Sequence, residues 1–394
     1  MLQSKVRFSR WEPLRDLDCT RSRGNIWGGM MASENNQMDD AHERINLVGL
    51  SCDDLVRLLT DAGQAAFRAR QLYEWIYRKG AVTFDEMTSL SKDLRTWLSE
   101  NFTLEFPGIA EIRAGAADDS RKFLFRLHDH RVVESVLMQE KNWQTLCVSS
   151  QVGCAVDCKF CMTGFGGFRR QMTTGEIVSQ FLLARRINDG VAPRNMVFMG
   201  MGEPMLNLDN VIPAIQLLTD HSGMDVAPRR ITVSTSGIVP GIDRLGEADL
   251  GVNLAISLNG SNDEFRSKIM PINKRYPISE LLDACRRFPL RNRRRIMFEY
   301  VMLAGENDSV ENALELAKLL EGIPCKINLI PWNPDPQLPF RRPSEETIRR
   351  FQQELLDRWF TVSVRYSKGV DIGAACGQLA GHWKDQQRTE AVAE

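Results

Sequence analysis

The sequence predicts an α/β protein with a parallel β-sheet, preceded by a small helical domain. From about residue 144 onward, short apolar runs rich in β-branched residues alternate with helical stretches, about six times in all. Before that point, between about residues 44 and 106, apolar residues recur at helical spacing. A parallel sheet of this kind carries its chemistry on the loops that follow the C-terminal ends of its strands.

Composition is ordinary for a globular protein. The chain has 394 residues, of which 43% are hydrophobic and 26% charged, with a formal net charge of −1. It contains no run of about 18 apolar residues and no apolar signal-peptide core. These features predict a cytoplasmic protein, whose nine cysteines serve as ligands, catalysts or core residues rather than in structural disulfides.

Changes in pattern along the chain predict five segments. The first of them has low hydrophobicity and no periodicity, and its tandem Met30-Met31 indicates an alternative translation start. The segments are a disordered extension (1–43), a helical accessory domain (44–106), a β-rich linker (107–143), the core (144–335) and a C-terminal segment with a cysteine loop (336–394).

The helical domain has clear start and stop signals. Ser51 can cap a first helix, with Asp54 three positions later completing a capping box. A second helix carries Trp75 and Ile76 on one face and stops at Gly80.

The predicted strands follow in order. Residues 122–127 and 131–138 form a plausible hairpin. The six core strands are predicted in "TLCVSS", "NMVFMG", "RITVSTSG", "VNLAISL", "RIMFEYVML" and "KINLIPW". Between the first two of them, Thr173 and Glu176 can form a capping box that opens a helix.

Three cysteines provide the strongest functional signal. Cys154, Cys158 and Cys161 form a C-x3-C-x2-C pattern just after the first core strand, and no fourth cysteine follows nearby. A structural zinc site takes four ligands, so this set suits zinc poorly. Three cysteines on a four-iron cluster would instead leave one iron open to a ligand that is not protein.

With Phe160 before the third cysteine, the pattern is similar to the CxxxCxΦC motif of the radical S-adenosylmethionine (SAM) superfamily. The resemblance implies a [4Fe-4S] cluster whose open iron is chelated by SAM. Four polar segments follow predicted strands and would lie on the same rim, where they suit a bound ligand. They are "MGMGEP" (199–204), "STSG" (234–237), "SLNG" (257–260) and "PWNP" (331–334).

Five motifs in order narrow the resemblance. "CVSSQVGC…CKFC", "MGMGEPMLN", "STSG", "NLIPWNP" and "GAACGQLAG" together resemble the radical SAM RNA adenine-C2 methyltransferases, the RlmN family, over about residues 44–383. The family implies a partial (β/α)6 TIM-like barrel of the radical SAM type with a helical N-terminal domain that helps to hold RNA. Enzymes of this family methylate C2 of an adenosine in 23S ribosomal RNA and C2 of an adenosine in certain tRNAs.

The resemblance also implies a role for individual residues. One SAM would methylate Cys376, and a second, cleaved at the cluster, would yield the radical that activates this methyl group for addition to C2. Glu134 would accept the C2 proton, and Cys147 would release the RNA by forming a disulfide with Cys376. The family's SAM contacts fall on Gly202, Glu203, Ser234, Ser257, Leu258, Asn259 and Asn333.

Residue-level interpretations differ at several of these positions. The family commonly has histidine where this chain has Asn259, which puts a side-chain contact to SAM in doubt. A glutamate on a strand, such as Glu134, is expected to face solvent. A lone cysteine is usually a buried hydrophobe, although glycines flank Cys376 and indicate a loop. We expect a structural rather than a functional role for the five histidines and for the remaining cysteines, Cys19, Cys52, Cys285 and Cys325.

The expected partners are ribosomal RNA, tRNA and an electron donor such as flavodoxin, with a monomeric enzyme and no membrane. Residues 67–80 and 286–295 are basic and could contact phosphates, or could be solvated surface. Three alternatives stay open. They are an adenine-C8 methyltransferase, a radical SAM activase acting on a partner protein, and a non-catalytic iron–sulfur RNA-binding protein.

Overall fold

The computed structural model describes residues 44–291 and 293–379. The predicted N-terminal extension, the Met30-Met31 start and Cys19 lie outside these residues. The described residues form one compact unit. Among the described helices, none has both the length and the apolar character needed to cross a membrane.

Fourteen strands and eleven α-helices are described. The strands are β1 (Ile45–Asn46), β2 (Phe102–Thr103), β3 (Gly108–Ala114), β4 (Arg121–Arg126), β5 (Val132–Gln139), β6 (Gln144–Cys147), β7 (Gln151–Gly153), β8 (Phe168–Gln171), β9 (Asn195–Phe198), β10 (Ile231–Thr235), β11 (Asn253–Ser257), β12 (Ile296–Met302), β13 (Cys325–Pro331) and β14 (Val362–Val364). The helices are α1 (Cys52–Asp61), α2 (Ala66–Tyr73), α3 (Lys92–Asn101), α4 (Met162–Phe165), α5 (Thr174–Ile187), α6 (Leu208–Thr219), α7 (Val239–Glu247), α8 (Asp263–Ile269), α9 (Ile278–Arg287), α10 (Val310–Leu319) and α11 (Glu345–Leu356).

A ten-stranded sheet forms the centre of the molecule, in the order β14-β13-β12-β11-β10-β9-β6-β5-β4-β3. The six predicted core strands are confirmed as β6, β9, β10, β11, β12 and β13, all mutually parallel, and β14 adds a seventh. The predicted hairpin is also confirmed as β4 and β5, which extend the same sheet in antiparallel fashion together with β3. The α/β fold of the radical SAM type therefore carries an antiparallel extension on one side.

Local capping signals place the helices as predicted. Ser51 and Asp54 form the capping box of α1, and Thr173 and Glu176 form that of α5. A π-helical turn (Glu74–Lys79) prolongs α2 and ends at Gly80, which is left-handed with φ 73°.

A buried amide joins the antiparallel extension to the core. Gln180 of α5 accepts from Ser135 Oγ at 2.5 Å and from Ser149 N at 2.8 Å, and it donates to Ser149 O at 2.8 Å. Ser149 Oγ in turn donates to Glu134 O at 2.6 Å and accepts from Met201 N at 2.9 Å. Strand β5 and the loops after β6 and β9 are thus fixed to one another at the C-terminal edge of the barrel.

Arg266 of α8 holds the next loops along this edge. Its side chain is fully buried. Its guanidinium donates to Leu258 O at 2.9 Å, to Ser236 O at 2.5 Å and to Asn273 Oδ1 at 2.7 Å. One cation therefore supplies the hydrogen-bond donors for two loops that carry predicted SAM contacts.

Replacing Arg266 with leucine should lower the free energy of unfolding by about 2–5 kcal/mol, because buried carbonyl groups would lose their donor. Arg286→Leu is a matched control, since Arg286 is half exposed and its ion pair with Asp283, at 2.7 Å, lies on the surface. The control should change stability by less than about 0.5 kcal/mol. Urea midpoints of the two variants provide the comparison, and equal losses would show that Arg266 has no special structural role.

Candidate active site

A cavity opens at the C-terminal ends of the parallel strands. It encloses about 980 Å³ of space not filled by protein atoms, including its open mouth, and its size suits a cofactor. All four predicted polar segments contribute to its wall, as do the cysteine triplet and Cys376. The predicted site residues that line it are Cys154, Cys158, Cys161, Gly202, Glu203, Ser234, Ser257, Asn259, Asn333 and Cys376.

The cysteine triplet lies on the loop between β7 and α4. Burial raises the pKa of all three thiols, that of Cys154 to about 12. Backbone N–H groups oppose this by hydrogen bonding to sulfur, from Val156 to Cys154 and from Thr163 and Gly164 to Cys161. Such donors stabilise thiolates, the form in which cysteine binds iron.

The arrangement fits a cluster better than a single ion. A structural zinc site takes four protein ligands, and the triplet offers three. Cysteine thiolates are the usual ligands of iron–sulfur clusters, and three of them leave one of four irons open. Three thiols on one cavity wall therefore match a [4Fe-4S] cluster with one open iron.

Glu203 organises the cavity wall that carries the predicted SAM contacts. Its buried carboxylate accepts from Ser236 N and Ser236 Oγ, both at 2.7 Å, and from Met205 N at 3.1 Å. Its own backbone N–H donates to Gln151 Oε1 at 2.7 Å. Burial raises the pKa of Glu203, and the hydrogen bonds from Ser236 oppose that rise.

The glycine of this segment serves the loop itself. Gly202 has φ 98°, and a Cβ atom there would stand 2.5 Å from Cβ of Gln151. Both the backbone angle and the space exclude other residues at this position. The tight bend of the loop therefore explains by itself why residue 202 is a glycine.

Two other predicted SAM residues have internal partners. The Asn259 side chain accepts from Val301 N at 2.9 Å and contacts Met270 Sδ at 3.2 Å, so it supports the loop in which the family commonly has histidine. Leu258 is fully buried, and its backbone N–H donates to Glu299 O at 3.0 Å. Of these two, Asn259 lines the cavity.

Cys376 is the exposed residue of a largely buried loop at the cavity, and the loop is fixed on both sides. Asn333 Nδ2 contacts Cys376 O at 3.4 Å and donates to Ser367 Oγ at 2.8 Å. Just beyond the cysteine, Gly377 O accepts from Met162 N at 2.7 Å, next to the last cluster cysteine. The expectation that Cys376 belongs to a loop rather than to the core is confirmed.

Cys147 ends β6 beneath this loop and is buried, with 8% exposure. Burial, and next the nearby Cys376, raise the pKa of its thiol to about 12. Both cysteines are free thiols in the structure. The two thiols that the family resemblance pairs are therefore neighbours.

Glu134 is buried as well, with 3% exposure. The residue-level expectation that it faces solvent is wrong, because β5 is covered on both faces. Val136 pairs with Cys147, and Glu134 lies two residues farther toward the C-terminal edge of the barrel on the same face of the sheet. Its carboxylate lies 3.3 Å from the ammonium of Lys122.

Sequence reasoning missed Glu299 and Arg365. Glu299 of β12 lines the cavity and accepts from Ser234 Oγ at 3.2 Å, and burial raises its pKa. Arg365 lies 4.0 Å from it, and the nearby Cys376 raises the pKa of this guanidinium. A signal was available for Glu299, since a charge inside the apolar run "RIMFEYVML" is unusual for a buried parallel strand.

The basic segment 286–295 lies away from the cavity. It precedes β12 and therefore stands at the N-terminal edge of the parallel strands. Arg287 pairs with Asp243 at 2.9 Å, and Arg291 approaches Asp249 at 3.4 Å. Its position favours a solvated surface over an RNA contact near the site.

Comparison with known proteins agrees with this geometry. The sequence model described as the Radical SAM superfamily matches residues 148–317, and that described as the ribosomal RNA large subunit methyltransferase N-terminal domain matches residues 45–104. A radical SAM methyltransferase from Sphaerobacter thermophilus, of known crystal structure, superposes with a TM-score of 0.83 at 46% identity. The match covers 86% of this chain and all of that one.

Curated relatives carry a more specific name. The dual-specificity RNA methyltransferase RlmN of Geobacter sulfurreducens is 52% identical over 86% of this chain and 92% of its own length. That of Desulfotalea psychrophila is 50% identical over 86% of this chain and 95% of its own. The cysteine triplet, the cavity and these relatives lead to one conclusion: the chain belongs to the RlmN family of radical SAM methyltransferases, enzymes that use a [4Fe-4S] cluster and SAM.

Proposed function

We propose that the protein methylates C2 of adenosine in 23S ribosomal RNA and in certain tRNAs. The observation that carries the proposal is the position of Cys376. It lines the same cavity as the cysteine triplet and the predicted SAM segments, and it lies near enough to Cys147 to raise the pKa of that thiol. A radical SAM enzyme that acts on a partner protein needs no such thiol pair, and the names of the relatives support an RNA substrate.

The cofactors would be held by the residues predicted for them. Cys154, Cys158 and Cys161 would bind three irons, and SAM would lie against Glu203 and Ser234 and against the other predicted contacts. When bound, the cluster and SAM supply methyl groups, one-electron cleavage of the sulfonium to a hydrogen-abstracting carbon radical, and an acceptor for the electron that the RNA adduct gives up.

Three side chains of the protein would then divide the work. Cys376 carries the methyl carbon on its sulfur and delivers it to C2. Glu134 accepts the proton that C2 must lose before the ring regains its aromatic character. The Cys147 thiolate attacks Cys376 Sγ, which forms a disulfide, breaks the S–C bond and leaves the electron pair on carbon, where a proton completes the methyl group.

The RNA base must leave its stack to reach this cavity. The helical accessory domain (44–106) presents aromatic and basic groups that suit RNA, including exposed Phe67 with Arg68 over its ring at 4.6 Å and Trp75 with Lys79 at 3.8 Å. The β-rich linker, the core and the C-terminal cysteine loop complete the proposed domain arrangement. The proposal includes a flavodoxin-type electron donor, a monomeric enzyme and a cytoplasmic location.

Cys376 should carry a methyl group in protein purified from cells that supply SAM and iron. Mass spectrometry of proteolytic peptides should find one added methylene on the Cys376 peptide and none in the Cys376→Ala variant. Nucleoside analysis of the RNA should find 2-methyladenosine. An unmodified Cys376 in cluster-loaded protein would favour the activase, and 8-methyladenosine would favour the C8 methyltransferase.

Glu134→Gln should stop the reaction after the carbon–carbon bond forms, because the amide cannot take the C2 proton. Formation of methylated RNA should fall about 10²- to 10⁴-fold, while a covalent protein–RNA adduct accumulates on denaturing gels. Glu247→Gln, on the exposed surface of α7, is the matched control and should behave as wild type. Full activity of Glu134→Gln would remove Glu134 from the mechanism.

Release of the RNA should accelerate with pH. Burial raises the pKa of Cys147 to about 12, so the reactive thiolate is scarce at neutral pH and should increase about tenfold for each pH unit between 7 and 9. Rapid-quench measurement of adduct decay should follow this slope, and the Cys147→Ala variant should retain the adduct at every pH. A decay rate independent of pH would show that thiolate formation does not limit release.

A further inference from the structure

A buried lysine lies beside the proposed proton acceptor. Lys122 of β4 has 4% exposure, although it stands next to the exposed Arg121. Lysine is almost never fully buried unless it is paired, because removing an ammonium group from water is costly. The fold must therefore supply partners for Lys122, and their identity indicates what the residue does.

One partner of Lys122 lies on β5, and the other lies on the loop of Cys376. Lys122 Nζ lies 3.3 Å from Glu134 Oε2, and it donates to the carbonyl oxygen of Gly373 at 3.0 Å. Gly373, which has φ 62°, precedes Cys376 by three residues at the start of its loop. One ammonium group thus bridges the proposed base and the loop of the methyl-carrying cysteine.

Strand register places these groups on one face of the sheet. Lys122 pairs with Val136, and Val136 pairs with Cys147 on the next strand. Residues directly opposite each other project to the same side, so the lysine and Cys147 flank Val136 on the face that carries Glu134. The lysine therefore shares this face with Cys147 and with the proposed base.

Two hydrogen bonds from backbone N–H groups to carboxylates hold the loop at the same place. The turn before β4 supplies Ala116 N, which donates to Asp371 at 2.8 Å, and Asp118, which accepts from Gly369 N at 2.8 Å. These contacts support the start of the loop without Lys122. The loop is therefore anchored by other contacts, and the charge of Lys122 is available for another role.

We propose that Lys122 is a positioning residue that holds the Glu134 carboxylate beside the loop of Cys376. The inference rests on the proposed function. An ammonium group that contacts both a carboxylate and a neighbouring loop carbonyl fixes the position of one relative to the other. Glu134 can then accept the C2 proton and become a neutral acid, while the ammonium keeps its own protons and its hydrogen bond to Gly373.

A purely structural lysine would have a different consequence. If Lys122 only supported the loop, its loss would disturb Cys376 before any RNA is bound, and methylation of the cysteine would fall. If it positions Glu134, methylation of Cys376 continues and the reaction stops later, when the C2 proton must leave. The step that fails distinguishes the two roles.

The test uses full-length, cluster-loaded protein with Lys122→Met, which removes both contacts. Lys122→Gln removes the charge but keeps a hydrogen-bond donor, and Lys122→Arg keeps both. The methylated fraction of Cys376 is measured by peptide mass spectrometry, and the covalent protein–RNA adduct by denaturing gel. Thermal stability and cluster content identify folded variants, and Lys122→Gln carries the test if Lys122→Met does not fold.

For Lys122→Met and Lys122→Gln we expect normal Cys376 methylation, accumulated adduct and about ten- to a hundredfold slower formation of methylated RNA, part of the contribution of a positioned base. Lys122→Arg should restore most of the rate. Lys122→Met should have no further effect in the Glu134→Gln background, because the two residues act on one step.

Two results would overturn the inference. One is loss of Cys376 methylation in folded Lys122→Met or Lys122→Gln, and the other is wild-type adduct turnover in both. The proposed function fails separately, if wild-type protein forms no methyladenosine and Glu134→Gln traps no adduct. If those two proteins behave as expected and the lysine variants resemble wild type, only the role of Lys122 is wrong.

Discussion

Burial of charge at one edge of the barrel is the constraint on which the site depends. Five ionisable side chains lie there almost without solvent contact, and each must be paired or hydrogen-bonded because an isolated buried charge is costly. They are Lys122, Glu134, Glu203, Arg266 and Glu299. The loops that follow the strands adopt the conformations in which these groups find partners, and the cavity is the space left between them.

The same constraint makes some loops of the site rigid and leaves one side chain exposed. Glu203 and Arg266 fix the loops that carry the predicted SAM contacts, through hydrogen bonds to backbone groups of neighbouring loops. The loop of Cys376 is fixed at its two ends, yet the cysteine is exposed between them. In the proposed mechanism Cys376 meets a cofactor, a base and a second thiol in turn, and this combination of fixed ends and a free centre suits that role.

Much of the fold could be predicted from the sequence, because it follows local rules. Capping boxes at Ser51 and Thr173 and the alternation of apolar runs with helices depend on neighbours in the chain. The cysteine triplet is also a local pattern. The burial of Glu134 could not be predicted, since it depends on strands and a C-terminal loop that cover β5. Arg365 gave no local signal, because its partners are distant in sequence.

Chain order has a consequence for assembly. The contact between Thr163 and Leu379 closes the cysteine loop across 216 residues, and that between Lys122 and Gly373 spans 251. During synthesis the cysteine triplet therefore emerges long before Leu379, which contacts its loop. Contacts of such separation form late and slowly, so the cysteine loop is made with an open side, which is closed only after the strands and helices between Thr163 and Leu379 have been made.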